Sequence, residues 1–98
     1  MTIQLEPKYL KVVKDILKHY MPGHHVLVFG SRVTSSFKPH SDLDLCILGN
    51  QPVSFKQLAE LREEFSESDL PIRVDIVDWA TLSTQFRDVI KQNAIRVC

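Results

Sequence analysis

Asp42 and Asp44 stand two positions apart in Ser41 to Leu48, a segment whose other residues are mostly apolar and suited to a strand. Side chains alternate along a strand, so both carboxylates point to one face, with Cα atoms roughly 6–7 Å apart at about 3.3 Å rise per residue. Like charges that close on a sheet face repel, and a cation between them removes the penalty. Hard carboxylate oxygens suit Mg2+, with Mn2+ as the alternative. Upstream, Gly30 and Ser31 follow the apolar run Val26 to Phe29. A glycine directly after a buried strand lets the backbone turn sharply, and Ser31 can cap a helical turn starting near Arg32, leaving backbone N–H groups aimed at an anion. A phosphate cradle beside a metal-binding acid pair points to nucleoside triphosphate chemistry. Neither half is specific alone: a Gly-Ser turn is usually only a turn, and an Asp-x-Asp is more often solvated surface.

Gly30-Ser31, ten intervening residues and Asp42-Leu43-Asp44 resemble the G-S-x10-D-x-D signature of the DNA polymerase β type nucleotidyltransferase superfamily, and within it the minimal nucleotidyltransferase (MNT) family. Arg32 after the serine, Pro39 and Ser41 before the first acid, and the length of a one-domain minimal member extend the resemblance. Two positions depart from the commoner G-S-R-A-R-G. Thr34 stands where a second arginine is frequent, which bears on one phosphate contact, and Ser35 where a glycine is frequent, which stiffens the turn. The resemblance implies a polymerase β-like α/β (α+β) fold, with a small mixed sheet of three strands or slightly more and about four helices.

The elements that must position these residues follow from periodicity. Pro7 to Tyr20 reads as a first helix that covers the sheet: Leu10, Val13, Ile16, Leu17 and Tyr20 recur at helical spacing, while Lys11, Lys14, Asp15 and Lys18 face outward. Met21-Pro22-Gly23 ends it. His25 to Phe29 reads as a central strand, and His24 and His25, being adjacent, read as structural or solvated. Arg32 to Phe37 is expected as a short helix or helical turn that Lys38-Pro39 must leave. Along Ser41 to Leu48, Leu43, Leu45 and Ile47 form an apolar row, opposite Asp42, Asp44 and Cys46; the thiol reads as buried filler rather than a ligand. After a turn at Gly49 to Pro52, a helix over Ser54 to Ser66 has Ser54 and Gln57 as a capping pair and Phe55, Leu58, Leu61 and Phe65 as its core stripe.

Pro71 to Val77 reads as a third strand in which Asp75 shares a face with Arg73. A right-handed crossover lays it parallel to the second strand, which sets Asp75 beside Asp44. The resemblance implies a third carboxylate on this neighbouring strand, and Asp75 is the residue that matches. Asp78 falls on the opposite face and reads as a cap for the last helix, Thr81 to Asn93, whose expected core residues are Leu82, Phe86, Val89 and Ile90. Ala94 to Cys98 carries no signal.

With 98 residues the chain is expected to form one domain, residues 1–98. Its 12 lysines and arginines balance its 12 aspartates and glutamates, so no field of one sign points to nucleic acid or a membrane. No membrane span or leader is read, and a cytoplasmic location is expected. Cys46 and Cys98 fit a reducing compartment without a disulfide.

By resemblance, Asp42 and Asp44 hold Mg2+ on the phosphates of ATP, while Gly30 and Ser31 fix the β- and γ-phosphates. Asp75 completes a second metal position and can take the acceptor's proton. Arg32 and Lys38 are candidate phosphate contacts, each equally readable as a surface charge. Larger superfamily members append a helical domain that binds the acceptor, whereas here one helix follows the third strand. The family's minimal members pair with a small helical HEPN protein, often a toxin, and the implied reaction is transfer of AMP from ATP to a tyrosine of that partner. Three alternatives stand beside it: an antitoxin that works by binding alone, a transferase acting on a small molecule, and a structural α/β domain with incidental acids. Loss of Asp42 and Asp44 would leave neutralisation intact only in a binding-only antitoxin.

Overall fold

The computed structural model describes residues 2–98. Helix α1 spans Pro7–Tyr20 and opens with proline in its first turn, where a missing N–H leaves no bond unmade. Lys18 and His19 lie in its last turn, the favourable end for positive charge. Strand β1, Val26–Phe29, leads into a 3-10 turn at Gly30–Val33, and β2 spans Leu43–Ile47. Helix α2, Phe55–Glu67, starts at Ser54, whose hydroxyl accepts the Gln57 N–H as the capping pair required. Strand β3, Val74–Asp78, is followed by a second 3-10 turn, Trp79–Thr81, then α3, Thr84–Gln92, and a two-residue β4, Ile95–Arg96.

The sheet order is β3-β2-β1-β4. β2 pairs antiparallel with β1 and parallel with β3, the second pairing being the expected result of a crossover through α2. β4 adds to the free side of β1, with Val28 opposite Ile95. Val13, Ile16 and Leu17 of α1 and Leu61 and Phe65 of α2 form one core with Val26, Val28, Leu43, Leu45, Ile47 and Ile76 of the sheet. The two helices therefore cover the apolar row, and the acids lie on the other face. No helix among the described residues is long and apolar enough to cross a membrane. Both cysteines are free.

Several expectations need correction. The sheet has four strands, because residues read as an uninformative tail supply β4. The short helix or helical turn expected over Arg32 to Phe37 is a 3-10 turn at Gly30–Val33, so Phe29 rather than Ser31 occupies its N-cap. Phe55, placed in the core stripe, is 86% exposed; as the first helical residue its side chain leans back past the helix start, off the packed surface. In α3, Ile90 is buried, whereas Phe86 and Val89 are exposed. This short helix meets the sheet along Phe86 and Ile90, four residues apart, and Val89 is turned off that line. Ser83, not Asp78, caps α3.

Asp78 has another task. It is almost fully buried, and its carboxylate accepts the Val53 N–H at 2.7 Å and the Ala80 N–H at 3.4 Å, tying the start of α2 to the end of β3. Asp78→Ala strands two backbone donors and is expected to lower unfolding free energy by about 1–3 kcal/mol. A urea titration checks this: the midpoint falls at unchanged slope.

Candidate active site

Gly30 turns the chain at the end of β1 with φ +79°, a conformation L side chains rarely adopt. It also leaves room: a Cβ built on Gly30 would overlap Asp44 Oδ2. The glycine is therefore needed twice, for the turn and for the carboxylate lodged against it. Ser31 lies inside the turn, where its carbonyl accepts both the Thr34 N–H and the Thr34 hydroxyl at 3.1 Å.

Asp44 is the centre of the site. Phe29 is its cross-strand partner on β1 and Asp75 its partner on β3, so all three side chains share one face. Asp42, two residues earlier, lies on that face just ahead of β2. The Asp44 carboxyl is pushed up from 3.8 to about 6, first by partial burial, then by the negative charges of Asp75 and Asp42, with Arg73 opposing them. The three predicted acids thus act on one another. Asp75 is itself engaged, since Arg73 donates to its Oδ1 from Nε at 3.0 Å and from a terminal nitrogen at 2.8 Å. Among the described residues, no three histidine, cysteine or acidic side chains stand at metal-ligating spacing. The donor set still fits a hard divalent ion: it is all carboxylate oxygen, with negative charge at Asp44 that Arg73 only partly offsets.

Phe29, Asp44, Arg73, Asp75 and Phe86 line an open groove of about 560 Å³. Phe86 of α3 meets Phe29 edge to face, with centroids 6.1 Å apart, a contact that sequence spacing alone did not reveal. Arg62 also borders the groove, donating to the Ile76 carbonyl on the edge of β3.

Arg32, readable equally as a phosphate contact or a surface charge, is placed as neither. Its side chain is buried, and its guanidinium donates to the carbonyls of Ser41 (2.9 Å), Gln4 (2.6 Å), Pro39 (3.2 Å) and Lys38 (3.5 Å). It fastens the connection between the glycine turn and the acid pair. Lys38 lies exposed on that connection. Cys46, on the acid face, is fully buried, and burial lifts its thiol to about 11, consistent with filler rather than a ligand.

The family model for "Polymerase beta, Nucleotidyltransferase" matches residues 11–98. A Haemophilus influenzae protein named probable protein adenylyltransferase MntA is 46% identical over 90 residues, covering 92% of this chain and 79% of that protein. Among solved structures, a toxin–antitoxin crystal structure with AMP-PNP superposes with a TM-score of 0.76 at 21% identity, over 91% of this chain and 72% of that one. A complex of the tri-AMPylated Shewanella oneidensis HEPN toxin with its MNT antitoxin gives 0.73 at 19% identity, over 96% and 72%. At such identities the structural likeness speaks for the fold.

Two outcomes are expected from this geometry. Gly30→Ala combines a disfavoured φ with an overlap, so it should lose more than about 1 kcal/mol, and part of the loss should return when Asp44→Ala clears the space, as a double-mutant cycle by thermal melting would read. Asp44 holds its proton more tightly folded than unfolded, so ionising it works against the fold. In metal-free buffer the wild-type melting temperature should therefore fall relative to Asp44→Asn as pH rises from about 3.8 to about 6, then run parallel.

Proposed function

This chain belongs to the polymerase β nucleotidyltransferase family, as a minimal member, and from that premise we propose that it transfers AMP from ATP to a tyrosine of a helical HEPN-type toxin, acting as its antitoxin in the cytoplasm. The observation that carries the reading is the placement of Asp44, against the Gly30 turn on one side and level with Asp75 on the other. That order sets the Gly30 turn, the acid pair and a further carboxylate along one strip of the sheet. The name of the Haemophilus influenzae relative and the AMPylated toxin in a structurally similar complex support the same assignment.

In this reading the Gly30-Ser31 turn binds the β- and γ-phosphates through backbone N–H groups and the Ser31 hydroxyl, with Lys38 adding charge from the neighbouring loop. Asp42, Asp44 and Asp75 would hold Mg2+, or Mn2+, which when bound neutralises phosphate charge and lowers the pKa of an acceptor hydroxyl. Asp75 orients the tyrosine hydroxyl and takes its proton. The tyrosine oxygen forms a bond to the α-phosphorus, the bond from that phosphorus to the bridging oxygen breaks, and pyrophosphate leaves. Phe29 and Phe86 wall the groove beside the reacting atoms. Arg32 takes no part beyond holding the loop.

A second reading is favoured by the Arg73–Asp75 pair, in which a guanidinium already occupies one of the three acids. In it the protein neutralises its partner by binding alone. Intact mass spectrometry of a HEPN-type partner incubated with this protein, ATP and Mg2+ separates the two. Transfer predicts a gain of AMP units that slows by more than about 100-fold with Asp42→Ala or Asp44→Ala. Binding alone predicts no mass gain, and a partner that both variants still silence.

A further inference from the structure

Arg73 lies two residues before Asp75 on the same face, and both of its contacts fall on one oxygen, Oδ1, of that carboxylate. It also stands close to the other two acids: Asp75 is level with Asp44, and the Arg73 carbonyl accepts the N–H of Leu43, the residue between Asp42 and Asp44, at 2.9 Å. One guanidinium thus lies on the same sheet face as all three acids. Yet it is loosely held: 73% of the Arg73 side chain is exposed, against 38% for Asp75, and exposed ion pairs are weak and easily exchanged. The other arginine of the groove, Arg62, is committed to the Ile76 carbonyl.

We infer that Arg73 is a resident counter-ion of the site: it holds Asp75 until a divalent cation enters, releases that carboxylate to the cation, and turns its guanidinium onto the phosphates of the nucleotide. The inference rests on the metal and triphosphate reading given above. A cation that ligates Asp75 competes directly with a guanidinium already bonded to the same carboxylate. A triphosphate entering the groove then offers Arg73 oxygen pairs that match its planar fork, in the way a carboxylate does. Arg73 would in this way preserve charge balance in both states without blocking either.

The alternative is a fixed strut, in which Arg73 stays on Asp75 throughout and merely orients it. Binding to wild type, Arg73→Ala and Arg73→Lys separates the two, with Mn2+ alone followed by its electron paramagnetic resonance signal, and Mn2+ with AMP-PNP by calorimetry. The counter-ion role predicts changes of opposite sign in Arg73→Ala: free Mn2+ binds about two- to fivefold tighter because its competitor is gone, and Mn2+·AMP-PNP binds about tenfold weaker because a charged phosphate partner is gone. Arg73→Lys, which keeps the charge and loses the fork, should leave Mn2+ affinity near wild type and weaken AMP-PNP by a smaller factor. Two affinities that move in the same direction, or an unchanged AMP-PNP affinity in Arg73→Ala, overturn the inference. A wild-type protein that binds neither probe overturns the underlying metal and triphosphate reading instead.

Discussion

Leu43, Leu45 and Ile47 are at most 1% exposed, and their burial under α1 and α2 sets the geometry of the acid face. Because strand side chains alternate, burying this row forces Asp44 to the opposite side of the sheet. β2 is an interior strand, and its two registers then set Phe29 and Asp75 level with Asp44. A slip of one residue would exchange the rows, pressing carboxylates into the core and exposing the leucines. Three acids that repel one another are thus held side by side by apolar burial on the reverse of the same strand. The hydrophobic row supplies the energy, and the acidic row takes its position from it.

A strand cannot by itself bring the glycine turn to the acids, since nine irregular residues separate Val33 from Leu43. Arg32 performs that task. Its donors reach carbonyls at Lys38, Pro39 and Ser41 near the far end of the connection and at Gln4 ahead of α1, while the Gln4 N–H returns to the Arg32 carbonyl at 2.6 Å. A buried guanidinium is tolerable because its N–H groups are met by acceptors. A lysine in its place would offer a point charge without the planar fork, and could not bridge carbonyls spread over so wide an arc. The spacing between Ser31 and Asp42 is accordingly the length of a loop that one arginine side chain can close.

Much of this was legible from alternation and connection rules. The two faces of β2, the cap at Ser54, the parallel crossover and the pairing of Asp75 with Asp44 all follow from periods of two or 3.6 and from the handedness of crossovers. What escaped shares one property: it depends on direction or overlap rather than on spacing. Helical spacing placed Phe55 and Val89 on apolar stripes but could not say which turns overlie the sheet. Arg32 carries the charge of a phosphate ligand, and only the fold shows that its side chain runs inward to carbonyls. β4, with two residues, is too short for any period to show, and Asp78 was read as the cap of the last helix because its bond to Val53, 25 residues away, left no local trace.

The contrast between Arg32 and Arg73 bears on how a small domain can carry a cluster of like charges and still change its occupant. Arg32 is buried, saturated with neutral acceptors and unable to leave without stranding them. Arg73 is exposed and bonded to a single carboxylate oxygen, a pairing that solvent weakens. A buried arginine among the acids would have silenced their repulsion for good, and would have excluded the ion that carboxylate clusters of this type attract. No positive charge at all would have left Asp44, already lifted to about 6, harder to ionise still. A weak ion pair at the rim meets both demands, because its exposure keeps the exchange inexpensive in either direction. The fold places the saturated, buried arginine at the loop closure and the exposed, weakly paired one among the acids.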